Sequence, residues 1–258
     1  MPRARLPRRL AHGEEATLVE HLGELRTRLL ISLGALAVFF PFTYAFHERL
    51  VTWLMRPLPD DKKLVTLGVL EPFTTSIKIA LFAALALALP VVLYQLWSFL
   101  APALEEHTQR VVSSFVLLAT ALFACGLTFG YFLVLPRAVT FLTSYDSNLY
   151  EIQVRASYYF SFVTLALFGM GVIFELPIFI LALVRLRVIS SDQLRRNRRL
   201  GWFLAVLGAV LLPTVDPVSL FFETVPILVL FEVSIWLATV MERRWERAWA
   251  AEEAAAEL

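Results

Sequence analysis

The stretch SYYFSFVTLALFGMGVIFELPIFILALV, residues 157–184, decides the fold. It carries one formal charge, Glu175, in 28 residues. Wound as an α-helix at about 1.5 Å per residue, it spans roughly 40 Å, more than the ~30 Å apolar core of a bilayer. A carboxylate near the middle of such a helix costs about 2.5–3.5 kcal/mol on insertion scales, so it faces protein or water and marks a functional position. Pro177 withholds the amide that would bond to the Ile173 carbonyl, which predicts a bend beside Glu175.

The rest of the chain repeats this pattern. Of 258 residues, 59% are apolar and 17% charged, against about 45–50% and about 25% in soluble domains. The charges fall between apolar runs at 29–46, 77–100, 111–136, 157–184, 200–212 and 218–240. We read an all-α polytopic membrane protein, a single integral membrane domain over 1–258 with six spans. A short helix at 17–28 precedes them and a tail at 241–258 follows. The run at 200–212 covers only about 20 Å, so the last two spans form a low wall. The first run lacks a small-x-small exit and is expected to be a retained span rather than a cleaved signal. Arg8–Arg9 reads as part of a basic end.

Six spans place both termini on one side. With them in the cytoplasm, 16 Lys and Arg lie inside and 6 outside, as the positive-inside rule requires. The single cysteine, Cys125, excludes an internal disulfide and reads as a small core residue. No HExxH, CxxC or phosphate-binding loop is present, and all four histidines lie outside the apolar runs. We therefore expect no enzyme, metal, cofactor or nucleic-acid site.

Polar residues at the ends and within the spans give the candidate sites. Thr17 and Glu20 fit a capping box. Leu18, Leu22, Leu25 and Leu29 share one face. Glu24 and Arg28, four apart, can pair, whereas Arg26 is about 200° around the helix from Glu24. The loop APALEEHTQR, 101–110, gathers Glu105 and Glu106 against Arg110 alone. With Glu24 these carboxylates suit a cationic ligand, arginine above all, whose planar fork bonds carboxylates bidentately. Gln95 lies as deep from Ile77 as Glu175 from Ser157, and is its candidate hydrogen-bond partner. Glu223 and Glu232 are further acidic residues of the last span.

HLGELRTRLL (21–30), EPFTTSIKIALFAALALALPVVLYQLWSFLAPAL (71–104), FELPIF (174–179) and PTVDPVSLFFETVPILVLFE (213–232) resemble, in order, the TatC family of the twin-arginine protein translocase. The resemblance implies six helices with a concave intramembrane face and a receptor for twin-arginine signal peptides of folded cargo. It also implies TatA- and TatB-type single-span partners, further TatC copies, and export driven by the proton-motive force across a prokaryotic inner membrane. Carried over residue by residue, Glu24 and Arg26 match the N-terminal recognition motif, and loop 101–110 the other half of that surface. Glu175 matches the intramembrane glutamate, Pro57 and Phe73 functional outer-loop positions, and Asp216 an acidic residue of the last outer loop. Where the family often has a glutamate, this chain has Thr108, so Glu105 or Glu106 supplies the carboxylate. Leu220 stands where a glutamine often follows D-x-x-S, leaving Thr214 or Glu223 for the partner contact.

From the residues alone two other classes stay open. A proton-coupled carrier would use Glu175, Glu232 and the proline-broken helices. A structural scaffold would bind membrane subunits without recognising signal peptides.

Overall fold

The computed structural model describes residues 18–100, 108–150, 152–213 and 216–256. In chain order the elements are α1 (Leu18–Ala45), α2 (His47–Met55), β1 (Leu64–Val65), α3 (Glu71–Leu100), α4 (Thr108–Phe129), a π-helical turn (Gly130–Val134) and α5 (Leu135–Ser144). Then follow β2 (Val154–Arg155), α6 (Ala156–Phe174), α7 (Leu176–Arg185), α8 (Ser191–Arg196), α9 (Arg198–Val210) and α10 (Pro217–Ala256). Among the described residues, five helical stretches are long and apolar enough to cross a bilayer: Leu22–Ala45, Glu71–Phe99, Ser113–Ser144, Ala156–Arg185 and Pro217–Arg247. The run expected as the fifth of six spans is a helix of 13 residues, α9, shorter than a bilayer core is thick.

The centre is α6, which buries Tyr159, Phe160, Val163, Ala166 and Met170 against neighbours on several sides. Helix α4 approaches it closely. A Cβ on Gly126 would lie 2.6 Å from the Met170 carbonyl oxygen, and one on Gly171 would lie 2.4 Å from the Phe123 ring. Gly126 and Gly130 form a G-x-x-x-G pair, the small-residue spacing that lets membrane helices touch backbone to backbone. Helix α1 packs along α3, antiparallel to it. Thr43 Oγ1 donates to the Ala80 carbonyl (2.8 Å) and Arg28 Nη1 to that of Gln95 (3.1 Å). The two anchors are fifteen residues apart on both helices, so the pair is held in register near each end.

Several boundaries differ from those expected, each for a physical reason. The span expected at 111–136 continues through α5. The wide π-turn just before Pro136 absorbs the missing proline amide instead of ending the helix. The last span, expected to stop at 240, runs on to Ala256. Residues 241–256 are rich in Ala, Glu and Arg, all strong helix formers. The extension is tied down where Glu242 accepts from the Ser191 amide (2.8 Å) and Arg185 lies 5.0 Å from the Trp245 ring centre. The apolar run at 157–184 breaks at Glu175, which ends α6 and precedes α7, with Pro177 in the first turn of the new helix. Helix α3 continues through Pro90. Cys125, expected in the core, is exposed on α4. The leucine stripe of Leu22, Leu25 and Leu29 is exposed as well, an outward apolar face that suits lipid.

Candidate functional site

The start of α1 and the end of α10 lie at one end of the bundle, the terminal face. There Glu24 of α1 is half-buried and pairs with Arg28, as the spacing predicts. Arg28 also reaches the Gln95 carbonyl on α3 and lies 5.9 Å from the Phe99 ring centre. Because α1 and α3 are antiparallel, Glu24 stands level with the last turn of α3. Arg26 is exposed and makes no ion pair among the described residues. Glu105 and Glu106 lie outside the described residues, as do Thr17 and Thr214. Arg110 stands in the first turn of α4. Among the described residues the terminal face therefore presents a half-buried carboxylate, paired with Arg28, and an exposed arginine, Arg26.

Within the apolar layer, Glu175 sits at the α6–α7 break. Its amide bonds to the Val172 carbonyl (3.1 Å) and its carbonyl accepts from Phe179 (3.0 Å). Its buried Oε1 has no hydrogen-bond partner among the described residues. Gln95 and Glu175 make no hydrogen bond with each other among the described residues; the backbone carbonyl of Gln95 accepts from Arg28. Trp97 Nε1, half a turn beyond Gln95, is also buried without a partner among the described residues. An apolar surrounding makes such groups costly to leave unmatched, so both are open to a hydrogen-bonding visitor.

The acids of the last helix divide by role. Glu232 accepts from Arg198 (2.6 Å) and from Trp202 Nε1 (2.8 Å), joining α10 to α9. Asp216 caps α10: its Oδ1 accepts from the Ser219 amide at 2.7 Å, with Pro217 opening the helix. Glu223 is completely buried.

The opposite face is organised by a residue that sequence reasoning missed. Glu71, at the start of α3, is buried. Its Oε2 accepts from the amides of Leu67 (2.9 Å) and Gly68 (3.3 Å). Its Oε1 accepts from Arg155 Nε (3.0 Å) and the Ser157 amide (3.1 Å). The carboxylate raises the pKa of Arg155, its hydrogen bond outweighing the guanidinium's lost hydration. Glu71 thus ties the loop before α3 to the start of α6, beneath the parallel pairing of Leu64–Val65 with Val154–Arg155. Helix α2 docks on the same face through Tyr131 to the Trp53 carbonyl (2.8 Å) and Tyr159 to the Leu54 carbonyl (2.9 Å). Pro57 follows α2, and Phe73, 56% exposed, leaves the first turn of α3. The only sequence signal for Glu71 was an acid placed just before Pro72 at the head of an apolar run.

Comparison with known proteins agrees with this arrangement. The family described as Sec-independent protein translocase protein (TatC) matches residues 20–226. The chain is 35% identical over 245 residues to the Sec-independent protein translocase protein TatC of Magnetococcus marinus, covering 93% of this chain and 90% of that one. It is 35% identical to TatCd of Bacillus subtilis over 231 residues, with 90% and 95% covered. A crystal structure described as the twin arginine translocase receptor TatC superposes with a TM-score of 0.71 at 33% identity, covering 85% of this chain and 98% of that one. A second, determined in the detergent DDM, gives 0.76. Sequence motifs, helical architecture and these likenesses together place the chain in the TatC family, as a multi-pass membrane subunit of a Sec-independent protein translocase.

Proposed function

We propose that this subunit is the signal-peptide receptor of a twin-arginine translocase in a prokaryotic inner membrane. Its terminal face is cytoplasmic, and α9 makes the sixth crossing where the bilayer is locally thin. The observation that carries this reading is Glu24: a part-exposed carboxylate level with the end of α3, the helix that precedes Glu105 and Glu106 in the sequence. Paired arginines of a signal peptide engage these acids, with Arg26 and Arg110 at the rim. The apolar part of the signal lies along the concave intramembrane face, where Glu175 and Gln95 supply polar points. TatA- and TatB-type partners dock by their helices, with Thr214, Glu223 and Glu232 marking the region near the last two helices. Further copies of the chain complete the assembly, and Pro57, Phe73 and Asp216 support function from the outer side. The proton-motive force drives export, with no catalytic reaction and no cofactor. Glu232 is already held by Arg198 and Trp202, which removes one of the two carboxylates a proton-coupled carrier would use.

Photocrosslinking tests the placement. A twin-arginine peptide with a photoprobe beside the arginine pair should label 18–30 and 95–110 in membranes containing this chain. A labelling pattern confined to the outer loops would overturn the reading.

A further inference from the structure

On the face opposite the terminal one, the turn before α3 points its apolar side chains outward. Leu67, Val69 and Leu70 are 73%, 98% and 71% exposed, and Phe73 is exposed beside them. The chain carries no charge from Leu64 to Leu70. The turn is held in this shape. The Glu71 amide closes it on the Gly68 carbonyl (3.1 Å), and the Glu71 carboxylate accepts from the amides of Leu67 and Gly68. That carboxylate is itself buried and paired with Arg155. Contiguous apolar groups kept exposed mark a surface that meets protein or membrane.

Depth and charge decide between the two. Thr43 bonds to the Ala80 carbonyl and Arg28 to that of Gln95, a register that sets Phe46, the last residue of the first apolar run, level with Ile77. Phe73 stands about 6 Å further out than Ile77, and Leu70 about 10 Å. The headgroup layer is about 5–8 Å deep on each side of the apolar core, so Phe73 lies within it and Leu70 at its outer edge. The Leu70 carbonyl accepts from the Thr74 amide (3.0 Å), which continues the helical path back to Leu70. Leu70, Phe73, Ile77 and Leu81 then follow one side of α3 at intervals of three and four. Leu81 is exposed within the apolar layer, so the strip leads from lipid up to the turn. Lys78 is exposed alongside it. Helical side chains lean toward the N-terminus, which for α3 is the outward end, so the Lys78 ammonium snorkels to the level of lipid phosphates. A protein docked on this strip would have to bury that charge, whereas phosphates match it. Tyr158, exposed in the first turn of α6 beside the Ser157 amide that Glu71 holds, adds an interfacial aromatic at the same level. We propose that the turn at 67–70, with Phe73 and Lys78, is an anchor in the lipid headgroup layer. It sets how deep α3 and, through Glu71, the start of α6 sit in the bilayer, whatever ligand the terminal face takes.

Spin-label accessibility tests this. The full chain, with Cys125→Ser to remove the native thiol, is placed in nanodiscs of phosphatidylethanolamine and phosphatidylglycerol. Nitroxides are attached at Val69→Cys and Phe73→Cys, with Leu81→Cys as the lipid reference and Asp60→Cys, exposed in the loop after α2, as the water reference. The quantity read is the ratio of collisions with oxygen, which concentrates in lipid, to collisions with a water-soluble nickel chelate. At both positions this ratio should exceed that of Asp60→Cys by about threefold or more and stay below that of Leu81→Cys, as the headgroup depth requires. Ratios equal to that of Asp60→Cys would put the turn in water and overturn the proposal. Low collision with both reagents at Val69 and Phe73 would mean that protein covers the turn, a second copy included, and would overturn it as well. Where Phe73→Cys does not assemble, Leu70→Cys takes its place under the same criteria.

Discussion

Glu175→Ala is expected to abolish coupled transport while leaving Arg-Arg peptide binding at the terminal face within about twofold. Glu175 sits at the α6–α7 break, where Pro177 prevents continuous helical bonding, and its Oε1 is buried without a partner among the described residues. An interhelical hydrogen bond inside a membrane is worth about 0.6–1.7 kcal/mol in measured cases. Removing the side chain should therefore weaken docking of a polar partner helix or signal roughly three- to twentyfold. Glu175→Gln keeps hydrogen-bonding capacity at nearly the same shape and should retain most of that docking. Crosslinking of the partner helix to α6 and α7, measured beside transport in inverted vesicles, checks both variants. Alanine with intact crosslinking and transport would mean that Glu175 serves the fold alone.

Glu71→Ala should loosen the opposite face as a unit. One carboxylate holds three backbone amides and the Arg155 guanidinium. Without it, the amides of Leu67, Gly68 and Ser157 should exchange hydrogen at least about tenfold faster, as locally opened segments do. The β1–β2 pairing above them should open as well. Transport should fall, because Pro57 and Phe73 hang from this scaffold, while peptide binding at the terminal face should persist. Hydrogen exchange resolved to short peptides separates the outcomes. Unchanged exchange at these amides would show that backbone packing, and not Glu71, holds the face.

The two faces also differ in how far the sequence reveals them. Glu24 and Arg28 could be paired from their spacing because an i,i+4 contact lies within one helix. The long apolar runs announced the membrane helices for the same local reason. Glu71 was hidden because its partners, Arg155 and Ser157, are more than eighty residues away. Nothing in the intervening composition fixes where they meet. Helix ends were misread where a local rule met a local remedy. The span expected at 111–136 was bounded by its apolar run, yet the π-turn before Pro136 lets the helix continue. Cys125 was assigned inward on the logic of water-soluble cores, but in a membrane protein the outward face is apolar too, so polarity alone does not tell in from out. The Gln95–Glu175 pairing rested on equal depth, and depth says nothing about the direction of a side chain around its helix.

Most direct is a comparison of Arg-Arg with Lys-Lys signal-peptide affinity, made on the wild-type chain and on Glu24→Ala combined with Glu105→Ala and Glu106→Ala. The account predicts tighter binding of the Arg-Arg peptide to wild type, by about ten- to a hundredfold, and loss of that preference in the triple variant. Equal affinity for the two peptides, or a preference that survives removal of all three carboxylates, would contradict it.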